Sequence, residues 1–121
     1  PMGKTTLVLG ASLKAERYGN MAVRRLRAMG HPVVAVGGRD GFIGDVEVTR
    51  EIPEGAAPHT VTLYMNAQNQ GPWEERILAL HPARIIFNPG AENPALASRA
   101  QALRIEVVDG CTLVMLGSGQ F

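Results

Sequence analysis

The residues with the clearest chemical potential sit at one turn. Leu7-Val8-Leu9 is an apolar run that stops at Gly10-Ala11-Ser12, and Lys14 and Arg17-Tyr18-Gly19-Asn20 follow closely. Apolar strand, tight turn, then helix is the order in which α/β proteins place a phosphate against helix N–H groups. Ser12 stands where a dinucleotide fingerprint has its second glycine; it is still small, and its hydroxyl can bond a phosphate oxygen. Read alone, the turn also fits a plain structural role, since strand-to-helix turns favour Gly and Ser. Arg17 adds a guanidinium with two donors for phosphate oxygens. Lys14 is read either as a second phosphate cation or as a solvated loop lysine. Gly3-Lys4-Thr5 mimics the end of a P-loop, but it precedes the first strand and no glycine-rich loop leads into it, so a P-loop is rejected.

A second basic position follows Pro32-Val33-Val34-Ala35-Val36. That run ends in Gly37-Gly38-Arg39, where a dinucleotide-binding chain usually presents an acid to a ribose diol. Arg39 suits a ribose bearing a phosphate, which favours NADP or coenzyme A over NAD. Asp40 is the competing reading, and an ordinary surface turn is a third. Met65-Asn66 and Asn88-Pro89-Gly90-Ala91-Glu92-Asn93-Pro94 mark two more turns. In the latter, Pro89 fixes the backbone, Gly90 permits close approach, and Asn93 leaves helix N–H groups aimed into the crevice. Glu92 is read as a helix-start carboxylate facing the dipole.

Residues for covalent or acid–base chemistry are sparse. His31, His59 and His81 show no metal-ligand spacing with Cys111. Ser12, Ser98 and Ser118 lie outside any G-x-S-x-G elbow. No nucleophile, base and orienting group come together by spacing, so neither a catalytic set nor a metal site is expected.

Alternating elements must position these turns. Residues 5–9 read as a strand buried on both faces. Asn20 is expected to cap a helix carrying Ala22, Val23, Leu26 and Met29 inward and Arg24, Arg25 and Arg27 outward, closed by Gly30. Residues 32–36 form the second strand. Arg39-Asp40-Gly41 and Ile43-Gly44-Asp45 read as turns, and Val46-Glu47-Val48 as a short edge strand. Residues 59–65 and 83–87 read as further strands. A helix opens between them on Gly71-Pro72, with Trp73, Ile77 and Leu80 as its apolar stripe. Asn93-Pro94 starts the next helix, with Leu96, Ala100 and Leu103 inward. Residues 104–108 are the last clear strand, and 111–116 fit either strand or helix. The result is one α/β, Rossmann-like, doubly wound domain over residues 1–121. It has a mainly parallel sheet of about five strands and helices on both faces. The functional turns share the edge where the strands end.

The 121 residues suit a single domain. A net charge of +1 gives no reason to expect a nucleic-acid or membrane surface. One cysteine excludes an internal disulfide framework and fits a reducing cytoplasm. Pro1-Met2 reads as a native start at Met2 behind one appended residue.

Several stretches together resemble a known family. They are Gly10-Ala11-Ser12 with Arg17-Tyr18 and Asn20, then Gly30-His31-Pro32-Val33, Val36, Phe42-Ile43-Gly44, the glycine-containing loop after the fourth strand, and Cys111 after the fifth. The chain resembles the small stand-alone CoA-binding proteins, relatives of the CoA-binding domain of the succinyl-CoA synthetase alpha subunit. The resemblance implies a ligand lying across the strand ends: coenzyme A or an acyl-CoA. Its diphosphate would rest on the 10–20 loop (Gly10, Ala11, Ser12, Lys14, Arg17, Tyr18, Gly19, Asn20). Its adenosine phosphate would lie near Val36, Gly37 and Arg39, and its pantetheine past Met65, Asn66 and the 88–92 loop with Asn88, Pro89 and Gly90. Gly37-Gly38 stands where the family usually has Asn-Pro, and the 88–93 loop differs from the commoner glutamine-bearing version. Ligase chemistry is not implied. The expected role is binding or regulation, alone, as a homodimer or with a protein partner. The alternatives are an NADP-dependent oxidoreductase or an acyl-CoA thiol-transfer enzyme using Cys111.

Overall fold

A computed structural model of the chain describes residues 3–121. Pro1-Met2 lie outside the described residues. The strands are β1 (Thr6–Ala11), β2 (Val33–Gly37), β3 (Gly41–Ile43), β4 (Val46–Thr49), β5 (Thr60–Leu63), β6 (Arg84–Phe87) and β7 (Glu106–Asp109). The helices are α1 (Tyr18–Ala28), α2 (Ala67–Gln70), α3 (Glu74–Ala79), α4 (Pro94–Ala102) and α5 (Thr112–Ser118). All strands join one sheet in the order β3-β4-β2-β1-β5-β6-β7. Every pairing is parallel except β3 with β4.

The chemistry of β1 explains its central place. Leu7, Val8 and Leu9 are each fully buried, and successive side chains point to opposite faces. Leu7 and Leu9 join one core with Leu63, Ile77, Phe87 and Leu96. Val8 joins the other with Val23, Leu26, Val48 and Leu116. Helices therefore cover both faces, as the uninterrupted apolar run requires.

The sheet has seven strands, not about five. The extra two form a hairpin, in which β4 falls on the short strand expected at 46–48 and β3 lies where turns were expected. Phe42 pairs with Glu47 and Ile43 with Val46, joined through Gly44 at positive φ, a two-residue connection that suits a hairpin. Val46 and Val48 face the core as expected of a strand, but β3 covers β4, so β4 is not the edge.

Helix boundaries also shift. Asn20 is not the cap of α1. Arg17 holds the cap position with extended backbone and no side-chain cap bond, and Asn20 lies buried within the first turn. The helix leaves through Gly30 as expected, with His31 N–H donating to Leu26 carbonyl at 2.9 Å. Met29 and Leu103, expected inward, are half exposed. The helix expected to open on Gly71-Pro72 begins earlier. Asn66 caps α2 by accepting from Asn69 N–H at 2.8 Å, and Gly71–Trp73 is a 3₁₀ turn leading into α3. The ambiguous 111–116 segment is helical, within α5.

Candidate functional site

After β1 the chain crosses to β2 on one side, and β5 begins the run on the other. The crossover reverses between β1 and β5, and ligands of such sheets bind outside the strand ends at that reversal. A cleft of about 450 Å³ opens there. One wall is the turn after β1, contributing Gly10, Ser12, Lys14, Arg17, Tyr18 and Gly19. The other is made by the ends of β5 and β6, contributing Tyr64, Met65 and Asn66, and Pro89, Gly90 and Ala91. A second hollow of about 500 Å³ shares Gly10, Ser12 and Lys14 and adds Ala11, Leu13, Gly38 and Arg39. The two hollows form a trough over the end of β1.

Glycine makes this trough. Gly10 has φ +102°, and a Cβ there would lie 2.7 Å from the Tyr64 carbonyl oxygen. A Cβ on Gly19 would lie 2.5 Å from the Gly10 carbonyl oxygen. The start of α1 therefore packs directly on the end of β1, leaving the loop between them to bulge into the cleft. That loop is braced from behind. Asn20 Nδ2 donates to Ser12 carbonyl at 2.8 Å, Arg24 Nε to Asn20 Oδ1 at 2.7 Å, and Arg24 Nη2 to Ala15 carbonyl at 3.0 Å. Ser12 Oγ accepts from Lys14 N–H at 3.1 Å, and its own O–H stays available to donate. Among the described residues, the side chains of Lys14, Arg17 and Arg39 make no ion pair.

Of the sequence-predicted residues, twelve line the trough and four stand behind it. Asn20 is a brace. Val36 is buried in the core, and Gly37 lets β2 touch β1, since a Cβ there would meet the Ala11 carbonyl oxygen. Asn88 is only 2 % exposed. Its Nδ2 donates to Thr62 Oγ1 and Leu63 carbonyl, and its Oδ1 accepts from Thr112 N–H at 2.9 Å. Asn88 thus ties β5 to the start of α5, because a buried amide is held by whichever backbone groups lack partners. Glu92 folds back to accept from Gly90 N–H at 2.9 Å. Asn93 caps α4 through Leu96 N–H and lies outside the cleft lining. Asp40, the competing acid, lies 3.5 Å from Arg50 and lines a different hollow.

Tyr64, Leu13 and Gly38 are lining residues that sequence reasoning missed, and Ala91 lies in the expected 88–92 loop. Tyr64 follows a buried strand directly, so a periodic pattern counts it as core. Burial pushes the Tyr64 phenol up to about 12. Tyr64 is therefore neutral at pH 7. Its hydroxyl is buried without a hydrogen-bond partner among the described residues.

The main lining combines two cations, hydroxyls, an amide and backbone, and no carboxylate, histidine or thiol among the described residues. His31, His59 and His81 each precede a strand, at the opposite sheet edge. Cys111 lies at the start of α5, outside the lining. No three His, Cys, Asp or Glu side chains among the described residues gather as a metal site requires. No helix is long and apolar enough to cross a membrane.

Comparison with known proteins finds the same fold in solved structures. A solved uncharacterised protein is 43% identical, covers all of both chains and superposes with a TM-score of 0.94. A Thermus thermophilus protein is 21% identical over 98% of this chain and 91% of its own, with a TM-score of 0.85. A hypothetical protein from Pyrococcus horikoshii OT3 is 18% identical over 97% of this chain and 83% of its own, with a TM-score of 0.84. Among curated protein sequences none matches. The family model described as CoA binding domain matches residues 4–117, and the chain belongs to that CoA-binding domain family.

Proposed function

We propose that the trough holds coenzyme A or an acyl-CoA, and that the protein acts as a binding or regulatory module without chemistry of its own. The observation that carries this reading is the charge of the lining: Lys14, Arg17 and Arg39 converge on one trough whose lining residues include no acid. Cations beside a strand-to-helix turn suit a diphosphate. Arg39, across β1 from Asn66, suits a second phosphate on the adenosine ribose. The uncharged wall at Met65, Asn66 and Gly90 suits pantetheine, which is uncharged and rich in amides.

Thermal unfolding with and without ligand tests the reading. Coenzyme A at a hundredfold excess over its Kd stabilises the fold by about 2.7 kcal/mol, a rise of several degrees in Tm for a chain of this size. Arg17→Ala is expected to remove most of that rise while leaving the ligand-free Tm unchanged, because its exposed guanidinium makes no ion pair within the described residues. No stabilisation at millimolar coenzyme A would sink the reading. A larger rise with NADP would move the assignment to a dinucleotide.

A further inference from the structure

We propose that Gln70 is a positioning residue for the pantetheine end of the ligand, setting the separation of the two loops that form the far wall of the cleft. The inference rests on the coenzyme A reading of the cleft. Gln70 lies at the end of α2 and is fully buried. Its Nε2 donates to Met65 carbonyl at 2.8 Å and to Ala91 carbonyl at 2.7 Å. Met65 and Ala91 both line the cleft, one after β5 and the other after β6. One nitrogen therefore joins two loops that are 26 positions apart in the chain (91 − 65).

The amide has only one workable orientation. Both loop groups are carbonyls, so only the NH₂ side can face them. Oε1 is then left to accept, and Asn93 Nδ2 supplies the donor at 2.8 Å. Asn93 Nδ2 also reaches Glu74 Oε2 at 3.1 Å, and Asn93 Oδ1 caps α4 through Leu96 N–H. The chain Met65/Ala91, Gln70, Asn93, Glu74 thus anchors the wall to α3 and α4. Asn88 makes the other side-chain tie in this region, but one layer deeper, onto Leu63 and Thr62. On the far wall, among the described residues, Gln70 is the side chain that acts on carbonyls of residues lining the cleft. A buried network with every member satisfied specifies one geometry, and leaving its carbonyls unpaired is costly.

Calorimetric titration of the full chain with two probes tests this: coenzyme A, and adenosine 3′,5′-bisphosphate, which lacks pantetheine. Gln70→Glu keeps the shape and turns the donors into acceptors facing two carbonyls. It is expected to weaken coenzyme A binding about tenfold while changing bisphosphate affinity by less than about twofold. Asn93→Ser keeps a cap acceptor for α4 but removes the donor to Gln70. It is expected to show the same selective loss at about threefold, and serves if Gln70→Glu does not fold. Equal loss for both probes, or no loss for either, overturns the positioning role. Wild-type protein that binds bisphosphate but gains nothing from the pantetheine arm also overturns it, while leaving the phosphate reading standing. Failure of the wild type to bind either probe would overturn the coenzyme A reading itself.

Discussion

At the scale of single residues, the molecule separates its cations by edge. Lys14, Arg17 and Arg39 on the strand-end edge make no ion pair among the described residues, while Lys4 and Arg84 on the opposite edge pack against an aromatic ring. His31 Nδ1 accepts from the Lys4 backbone N–H at 2.9 Å, and its ring meets the Phe121 ring edge-on at 4.9 Å. The Arg84 guanidinium stacks over the same ring at 4.3 Å, with Nη2 buried and unpartnered among the described residues. Burial lowers the pKa of His31 from its ordinary 6.5, and the Lys4 and Arg84 charges push the same way. His59 is lowered too, by burial first and then by Arg84 and Lys4, with Glu106 opposing. In the unfolded chain both imidazoles take up a proton more readily than in the fold. Their contribution to stability is therefore complete above about pH 6.5 and is lost as pH falls below it. Tm is expected to drop between about pH 7.5 and pH 5.5. His31→Asn offers an acceptor to the Lys4 N–H without titrating, so it should flatten part of that slope. An unchanged slope would assign the pH response elsewhere.

At the scale of elements, legibility depended on how far a signal extends along the chain. The passage from β1 through Gly10-Ala11-Ser12 to α1 was readable because an apolar run, a glycine turn and an amphipathic helix all agree over about twenty residues. The hairpin of β3 and β4 was not. A three-residue strand such as Gly41–Ile43 shows too little alternation to stand out from a turn. Asn20 and Asn88 were readable as important but not for their task. Asparagine caps, binds ligands and braces loops with the same amide, and only tertiary contacts decide among these. Asn88 shows the consequence. It connects β6 to β5 and to α5 through three hydrogen bonds, so Asn88→Ala strands a buried N–H and a buried carbonyl. The expected cost is about 2–4 kcal/mol in denaturant unfolding. A loss below about 0.5 kcal/mol would show that water replaces the amide and that α5 does not depend on this tie.

At the scale of the whole molecule, net charge and local charge tell different stories. The chain carries only +1 overall, yet Lys14, Arg17 and Arg39 all border the trough over β1. Balanced charge elsewhere gives no general affinity for polyanions, so attraction is confined to a ligand that can lie along this trough. The doubly wound topology makes the trough two-sided. Arg39 follows β2, Asn66 follows β5, and the 10–20 loop lies between them. A ligand with phosphates at two separated places fits such a layout better than a mononucleotide does. The discriminating comparison is coenzyme A against dephospho-coenzyme A, which lacks only the phosphate on the adenosine ribose. Wild-type protein is expected to prefer coenzyme A by about three- to tenfold, the range for a charge-assisted hydrogen bond discounted for an exposed arginine. Arg39→Ala should abolish that preference while leaving dephospho-coenzyme A binding unchanged, and added salt should shrink the wild-type preference toward that of the variant. If Arg39→Ala weakens both ligands equally, Arg39 acts on the shared diphosphate or on the loop. The ribose phosphate would then lie off this trough, and the two hollows would hold separate parts of a different ligand.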